Sequence, residues 1–219
     1  MGSHDPRAAD ERTAETRRLY ATVADTYASA LRDASAESPR DLALIDEFIA
    51  AIPAGAAPVL DAGCGTGRML GHLAARGVAP LVGVDLSPEM LAHAGRARPE
   101  VPLAVADLRR LPFADGSVRA ALCWYAIIHA PEDDVETIAA ELARVLLPGA
   151  PTLLGFQAGT GERVSERAYG HDVTLRGVLH EPARIADLLR GAGLEVLAVE
   201  RRDPVGHERQ PQGFVLARR

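Results

Sequence analysis

Between residues 8 and 32 the chain is mostly polar, yet Leu19, Val23, Tyr27 and Leu31 recur every fourth position, the spacing of one narrow helical face. So thin a stripe predicts a helix that lies across another surface. A second helix is predicted over residues 39–52, where Leu42, Ile45, Phe48, Ile49 and Ile52 form a broader stripe that Pro53 and Gly55 end. The period then changes. Short apolar runs at residues 58–62, 81–85, 103–106 and 118–124, each bounded by Gly, Pro or Asp, read as strands buried on both faces. Between them, residues 68–76 and 88–98 are helical in length, the latter opened by Ser87 as N-cap with Pro88 at the first helical position. Residues 132–147 make the clearest helix, with Val135, Ile138, Leu142, Val145 and Leu146 on one side and Glu132, Asp133 and Asp134 in its first turn. Beyond Pro148 and Gly149 the pattern gives a strand at 152–156, an irregular polar stretch at 157–180, a helix at 182–190, and two final strands near 196–199 and 214–216. Alternating strands and helices predict a parallel α/β sheet, and a closing hairpin without a helix predicts one antiparallel edge.

Composition narrows what such a sheet can do. With 219 residues and 47% apolar content the chain is long enough for one domain with small additions. A formal net charge of -6 repels phosphate backbones and acidic membranes, which argues against a nucleic-acid or membrane partner. All 24 basic residues are arginine. Without lysine there is no Walker-type phosphate loop, no Schiff-base amine for pyridoxal phosphate and no imine-forming aldolase nucleophile. Cys64 and Cys123 lie in different predicted elements and form no C-x-x-C pair, as expected of structural thiols in a reducing cytosol. No long uncharged apolar stretch appears, residues 1–4 read as a short leader, and the expected location is the cytoplasm.

The chemistry concentrates where strands end. Val59-Leu60-Asp61-Ala62-Gly63-Cys64-Gly65-Thr66-Gly67 is an apolar strand running into an acid and three alternate glycines, directly before a helix. Glycines let a backbone pass close to a ligand, and a helix N-terminus offers N–H groups to polar atoms. The spacing is G-x-G-x-G, whereas the loop that wraps a dinucleotide pyrophosphate is G-x-G-x-x-G, so a ligand without a diphosphate is favoured over a nicotinamide cofactor. Asp85 ends the second strand eighteen residues beyond Gly67, near the offset of about 20 expected for an acid that binds ribose hydroxyls. Asp107 follows the third strand, where a carboxylate can accept from an adenine amino group while Leu108 covers the ring. Three acids at the ends of consecutive strands mark a ligand crevice.

With these residues in view, the stretch from Tyr20 to Phe156 resembles the class I S-adenosylmethionine-dependent methyltransferases, through V-L-D-A-G-C-G-T-G, G-V-D-L-S-P-E-M-L, A-D-L-R-R-L-P-F and the P-G turn before the fifth strand. The resemblance implies a Rossmann-like, doubly wound, seven-stranded, mostly parallel α/β sheet with an antiparallel last strand. It also implies S-adenosyl-L-methionine as cofactor, with S-adenosyl-L-homocysteine as product. Gly63, Gly65 and Gly67 would pass under the methionine and ribose, with Asp61 at the strand end counted in the same site; Asp85 would hold the ribose diol, Leu86 or Met90 line the adenine, and Asp107 with Leu108 recognise the base. Tyr20, with Tyr27 second, would close over the cofactor from N-terminal helices spanning residues 1–53, above a core at 54–219. The sequence departs from the family at Gly149-Ala150, where a double glycine is usual, and at Arg119, where an acid is common.

Strand four ends in Cys123-Trp124-Tyr125-Ala126-Ile127-Ile128-His129. Trp124 and Tyr125 can stabilise a sulfonium through their ring faces, though core packing is the competing role for such aromatics. His129, and His171 in the irregular stretch, are the candidate general bases; His180 is read as structural. The expected activity is N- or O-methylation of a small molecule without a metal ion. The alternative is a non-catalytic or repurposed S-adenosylmethionine-binding module, since binding and transfer need the same loop and acids. The sequence fixes neither the acceptor nor the oligomeric state.

Overall fold

The structure, a computed structural model, describes residues 6–206 and 208–219; the expected leader at residues 1–4 lies outside the described residues. The chain opens with the long helix α1 (Pro6–Ala30) and with α2 (Pro39–Ala50), which Ser38 and Asp41 start with a reciprocal capping box. There follow β1 (Val59–Ala62), α3 (Arg68–Ala75), β2 (Leu81–Asp85), α4 (Pro88–Ala97), β3 (Leu103–Val105), β4 (Ala120–Trp124), α5 (Glu132–Val145) and β5 (Pro151–Gln157). The hairpin β6 (Glu162–Ser165) and β7 (Leu175–Val178), helix α6 (Pro182–Gly191), β8 (Glu195–Arg202) and β9 (Gln212–Arg218) complete the chain. Ser87 caps α4 as the pattern predicts, its hydroxyl accepting from the Met90 N–H at 3.2 Å.

Seven strands form one sheet in the order β3-β2-β1-β4-β5-β9-β8, with β1 to β5 mutually parallel. Reversal of direction along the sheet between β1 and β4 opens a crevice at their carboxyl ends. Alternate strand residues face opposite layers. Leu60, Ala62, Ala121, Cys123, Leu154 and Phe156 pack under α5 and α6, while Val59, Ala120, Leu122, Trp124 and Leu153 pack against α2 and α3. Rossmann-like and doubly wound, this is the expected fold.

The last strand, β9, is antiparallel as expected, and two details need correction. The antiparallel strand is β9, but it lies between β5 and β8, so the edge strand β8 runs parallel to β5 and the reversal sits one place inside the sheet. Inserting β9 there pairs both of its backbone edges, which the edge position expected from the hairpin would have left half unpaired. The stretch at 157–180 is also not wholly irregular, since β6 and β7 pair as a two-stranded sheet. Arg119, the departure at the start of strand four, is buried and donates to the carbonyls of Ala57, Pro53 and Ala79 at 2.7, 2.9 and 2.7 Å. One guanidinium thus satisfies three backbone acceptors at the amino-terminal end of the sheet, far from the crevice.

Above the crevice, α1 packs on α4 and forms a small apolar cluster of its own, Leu19 and Val23 with Leu175 of β7. This is the surface its narrow stripe predicts.

Candidate active site

A cavity of about 440 Å³ lies at the carboxyl ends of β1, β2 and β4, floored by the glycine loop and roofed by α1 and the β6–β7 hairpin. Its size is within the range of small-molecule sites. Gly63, Gly65, Asp85, Leu86, Met90, Asp107, Leu108, Trp124, Tyr125, Tyr20 and His129 all line it.

The loop glycines divide their tasks. At Gly63, with φ +81°, an added Cβ would lie 2.3 Å from the Ala126 Cβ, so its absence lets the loop after β4 close onto the loop after β1. Gly67, the left-handed N-cap of α3, packs on Ala94 of α4 and does not reach the cavity wall. Asp61 is likewise off the wall, buried within β1 with one carboxylate oxygen lacking a partner among the described residues. Burial pushes its carboxyl up to about 7, with Asp85 adding to the rise and Arg68 opposing it.

Asp85 accepts from the Gly65 N–H at 2.8 Å and the Ser87 N–H at 2.9 Å, one bond on each oxygen. Each oxygen keeps a lone pair for a ligand. Burial raises its carboxyl above the ordinary range, against the pull of these N–H groups. Asp107 is held differently, in a forked pair with Arg109, whose Nε and Nη2 lie 3.0 and 2.6 Å from its Oδ2. Arg109 also donates to Thr13 Oγ1 at 2.8 Å and lies 3.5 Å from Asp134, while Arg12 reaches Asp134 at 3.3 Å. Through these bonds α1 is fastened across the Asp107 end of the cavity.

The other end is aromatic. Tyr20 and Tyr27 meet edge to face at 6.0 Å, and Tyr27 lies 4.9 Å from Tyr169. Tyr125 and Tyr169 both hold positive φ, 58° and 51°, a backbone region that bulky residues occupy only under constraint. Arg68 pairs with Glu37 and bonds Tyr27 beneath them. Trp124 stacks on Phe214 at 5.4 Å over Gly155, so it serves the core while presenting an edge to the cavity.

His129 sits between Arg176 and Tyr20. Its Nδ1 is 2.5 Å from the Arg176 carbonyl, which can only accept, so Nδ1 carries the proton and Nε2 accepts from the Tyr20 hydroxyl at 2.9 Å. Burial lowers its basicity, opposed by the Arg176 carbonyl and helped by Arg163, and the ring is neutral near pH 7. His171, the other base candidate, does not reach the cavity: its backbone closes a turn with Ala168, and the reversal at Tyr169 and Gly170 carries its side chain elsewhere. His180 is buried edge to face against Phe156, 3.2 Å from the Ile127 carbonyl, a structural position as read from sequence.

Sequence reasoning missed Arg163, Gln157 as a wall residue, and the Arg12–Arg109–Asp134 group. Alternation in Glu162-Arg163-Val164-Ser165, which turns Arg163 inward, is the one local signal for the first.

Residues 59–149 match the sequence profile of a methyltransferase domain. Over this stretch, from β1 to the turn before β5, the chain is similar to methyltransferase domains. Outside that stretch α1 and the β6–β7 hairpin supply the roof. Among known relatives, the chain is 31% identical to a dTDP-4-amino-2,3,4,6-tetradeoxy-D-glucose N,N-dimethyltransferase of Saccharopolyspora spinosa over 59% of this chain and 61% of that one. It is 30% identical to an O-methyltransferase of Penicillium expansum over 67% of this chain and 55% of that one. The match thus spans little more than half the length of either relative. The magnesium protoporphyrin IX methyltransferase of Synechocystis PCC 6803, solved with bound S-adenosylmethionine, superposes with a TM-score of 0.71 at 18% identity, covering 95% of this chain and 97% of that one. The [4+2]-cyclase SpnF superposes with a TM-score of 0.70 at 18% identity, covering 94% and 96%. At such identities the methyltransferase domain and these structures share the fold, and the fold alone.

Proposed function

We propose that this protein transfers a methyl group from S-adenosylmethionine to a nitrogen or oxygen of a small molecule. Asp85 carries the reading: a half-buried carboxylate at the switch point, already oriented by Gly65 and Ser87, with acceptor capacity turned to the cavity. A ribose diol fits that capacity. Met90 and Leu86 offer an apolar wall beside it for the base, and Asp107 and Leu108 stand at the same end, with Asp107 steadied by Arg109. In this reading the helices of residues 6–53 cover the cofactor, Tyr20 and Tyr27 from above.

S-adenosylmethionine supplies an electrophilic methyl, which an acceptor lone pair takes as the carbon–sulfur bond breaks. The protein's own part is alignment and exclusion of water by the aromatic roof. Tyr20 already occupies the only lone pair of His129. A neutral amine, which needs no base before attack, suits this arrangement best; a phenol or alcohol acceptor would require Tyr20 to yield Nε2 so that His129 could take the proton. A non-catalytic cofactor-binding module would keep the Asp85 site and show no turnover.

The test is calorimetry with S-adenosylhomocysteine on wild type and Asp85→Ala, followed by turnover with an acceptor panel. Loss of hydrogen bonds to a carboxylate should weaken binding about 10- to 100-fold. Equal affinity in the two proteins, or no wild-type binding, rejects the cofactor assignment.

A further inference from the structure

Arginines on the cavity wall are mostly neutralised. Arg12 and Arg109 pair with Asp134 and Asp107, and Arg68 with Glu37. Arg209 is exposed to solvent. Arg163 is different: half-buried on the roof hairpin, it has no carboxylate partner among the described residues, and its Nε is shielded from solvent without an acceptor. Gln157 lies beside it. The Gln157 Oε1 is also buried without a partner among the described residues, and both this atom and an Arg163 Nη lie 3.8 Å from where a Cβ would stand at Gly177. A half-buried guanidinium left without an anion is costly, and a shielded carbonyl oxygen without a donor adds to that cost. Both groups face the cavity on the side of Tyr20, Tyr169 and His129, away from Asp85 and Asp107 on the strand ends.

Resting on the methyltransferase reading, we propose that Arg163 and Gln157 form the acceptor's recognition subsite, and that the acceptor carries an oxyanion, carboxylate or phosphate, with an N–H or O–H donor close to it. The guanidinium takes the oxyanion in a charge-assisted pair and Gln157 Oε1 takes the donor. A cationic acceptor is disfavoured at this place, since it would bring a second positive charge to Arg163 beside the sulfonium.

Trp124, the chain's single tryptophan, lines the cavity and provides the readout. Its fluorescence is followed while protein saturated with S-adenosylhomocysteine is titrated with benzoate, benzamide, phenyl phosphate and phenol. Benzoate or phenyl phosphate should bind more tightly than its neutral counterpart, and whichever anion binds better identifies the oxyanion. Arg163→Gln should weaken the anion about tenfold or more, with little change for benzamide and phenol, and Arg163→Lys should restore part of the loss. Affinity for S-adenosylhomocysteine should stay within about twofold in both variants, which also certifies their folding. Anions that bind no better than their neutral counterparts overturn the proposal, as does an Arg163→Gln variant that binds them unchanged. If Arg163→Gln weakens S-adenosylhomocysteine instead, the guanidinium serves the cofactor's carboxylate and the acceptor assignment falls. Failure of the wild type to bind S-adenosylhomocysteine would reject the cofactor reading separately, since the anions can be titrated without it.

Discussion

Asp61 shows how one buried carboxyl couples stability to pH. Its folded pKa is raised to about 7 by burial, whereas an unfolded aspartate titrates near 4. The folded state therefore holds its proton more tightly, and the stability tied to this group is lost as pH rises from about 4 to about 7. His129 and His180, held low by burial, act with the opposite sign across an overlapping window, gaining stability as pH rises. Melting temperatures of wild type and Asp61→Asn between pH 5 and 8 separate the contributions. The variant lacks the Asp61 loss, so its melting temperature should fall less, or rise more, than wild type over that range; parallel curves would show that Asp61 titrates normally.

At the scale of elements, the decisive contact is between α1 and the body beneath it. Arg109 reaches Asp107 after β3, Thr13 of α1 and Asp134 of α5 at once, and so ties three parts of the chain with one side chain. The apolar cluster under α1 is small, consisting of Leu19, Val23 and Leu175 with partly buried neighbours. A helix held by so little apolar area opens at lower free energy than the sheet. Arg109→Leu should therefore speed amide hydrogen exchange within residues 6–30 while leaving β1 and β4 unchanged, and should raise the dissociation rate of S-adenosylhomocysteine. Uniform acceleration across both regions would instead mean that Arg109 supports the whole fold.

For the whole molecule, an ion pair joins sequence ends that the sheet brings together. Arg202 of β8 bonds both oxygens of the fully buried Asp41 in α2 at 2.7 and 2.5 Å, pairs with Glu208, and lies 5.8 Å over the Phe214 ring that Trp124 stacks on. Asp41→Asn should cost about 3 kcal/mol in denaturant unfolding, because it leaves the cation with half its compensation. Adding Arg202→Met should cost less than the sum of the single changes, with a coupling of about 1 kcal/mol or more. Simple additivity would show that the pair contributes nothing to holding α2 on the sheet.

From Val59 to Val145 the order of strands and helices was legible in the sequence, because buried parallel strands are short apolar runs and each crossover helix stops just before a Gly or Pro, with Ser87 also marking the start of α4. The acid that ends β2 and the glycine loop were legible for the same reason: their places are fixed by local backbone geometry. Where β9 inserts was not, since strand order depends on pairing between segments that carry no record of their partner. His129 and Tyr20, 109 residues apart, form one hydrogen bond, while His171, the second sequence candidate after His129, is turned away by the reversal at Tyr169 and Gly170. Among the described residues Arg163 lacks a carboxylate partner because the carboxylates that neutralise Arg12, Arg68 and Arg109 are folded elsewhere. The sequence alone determined the fold class and the floor of the site, through local periodicity and turn chemistry; the tertiary structure decided which polar side chains meet in the roof, because those meetings depend on the path of the chain between them.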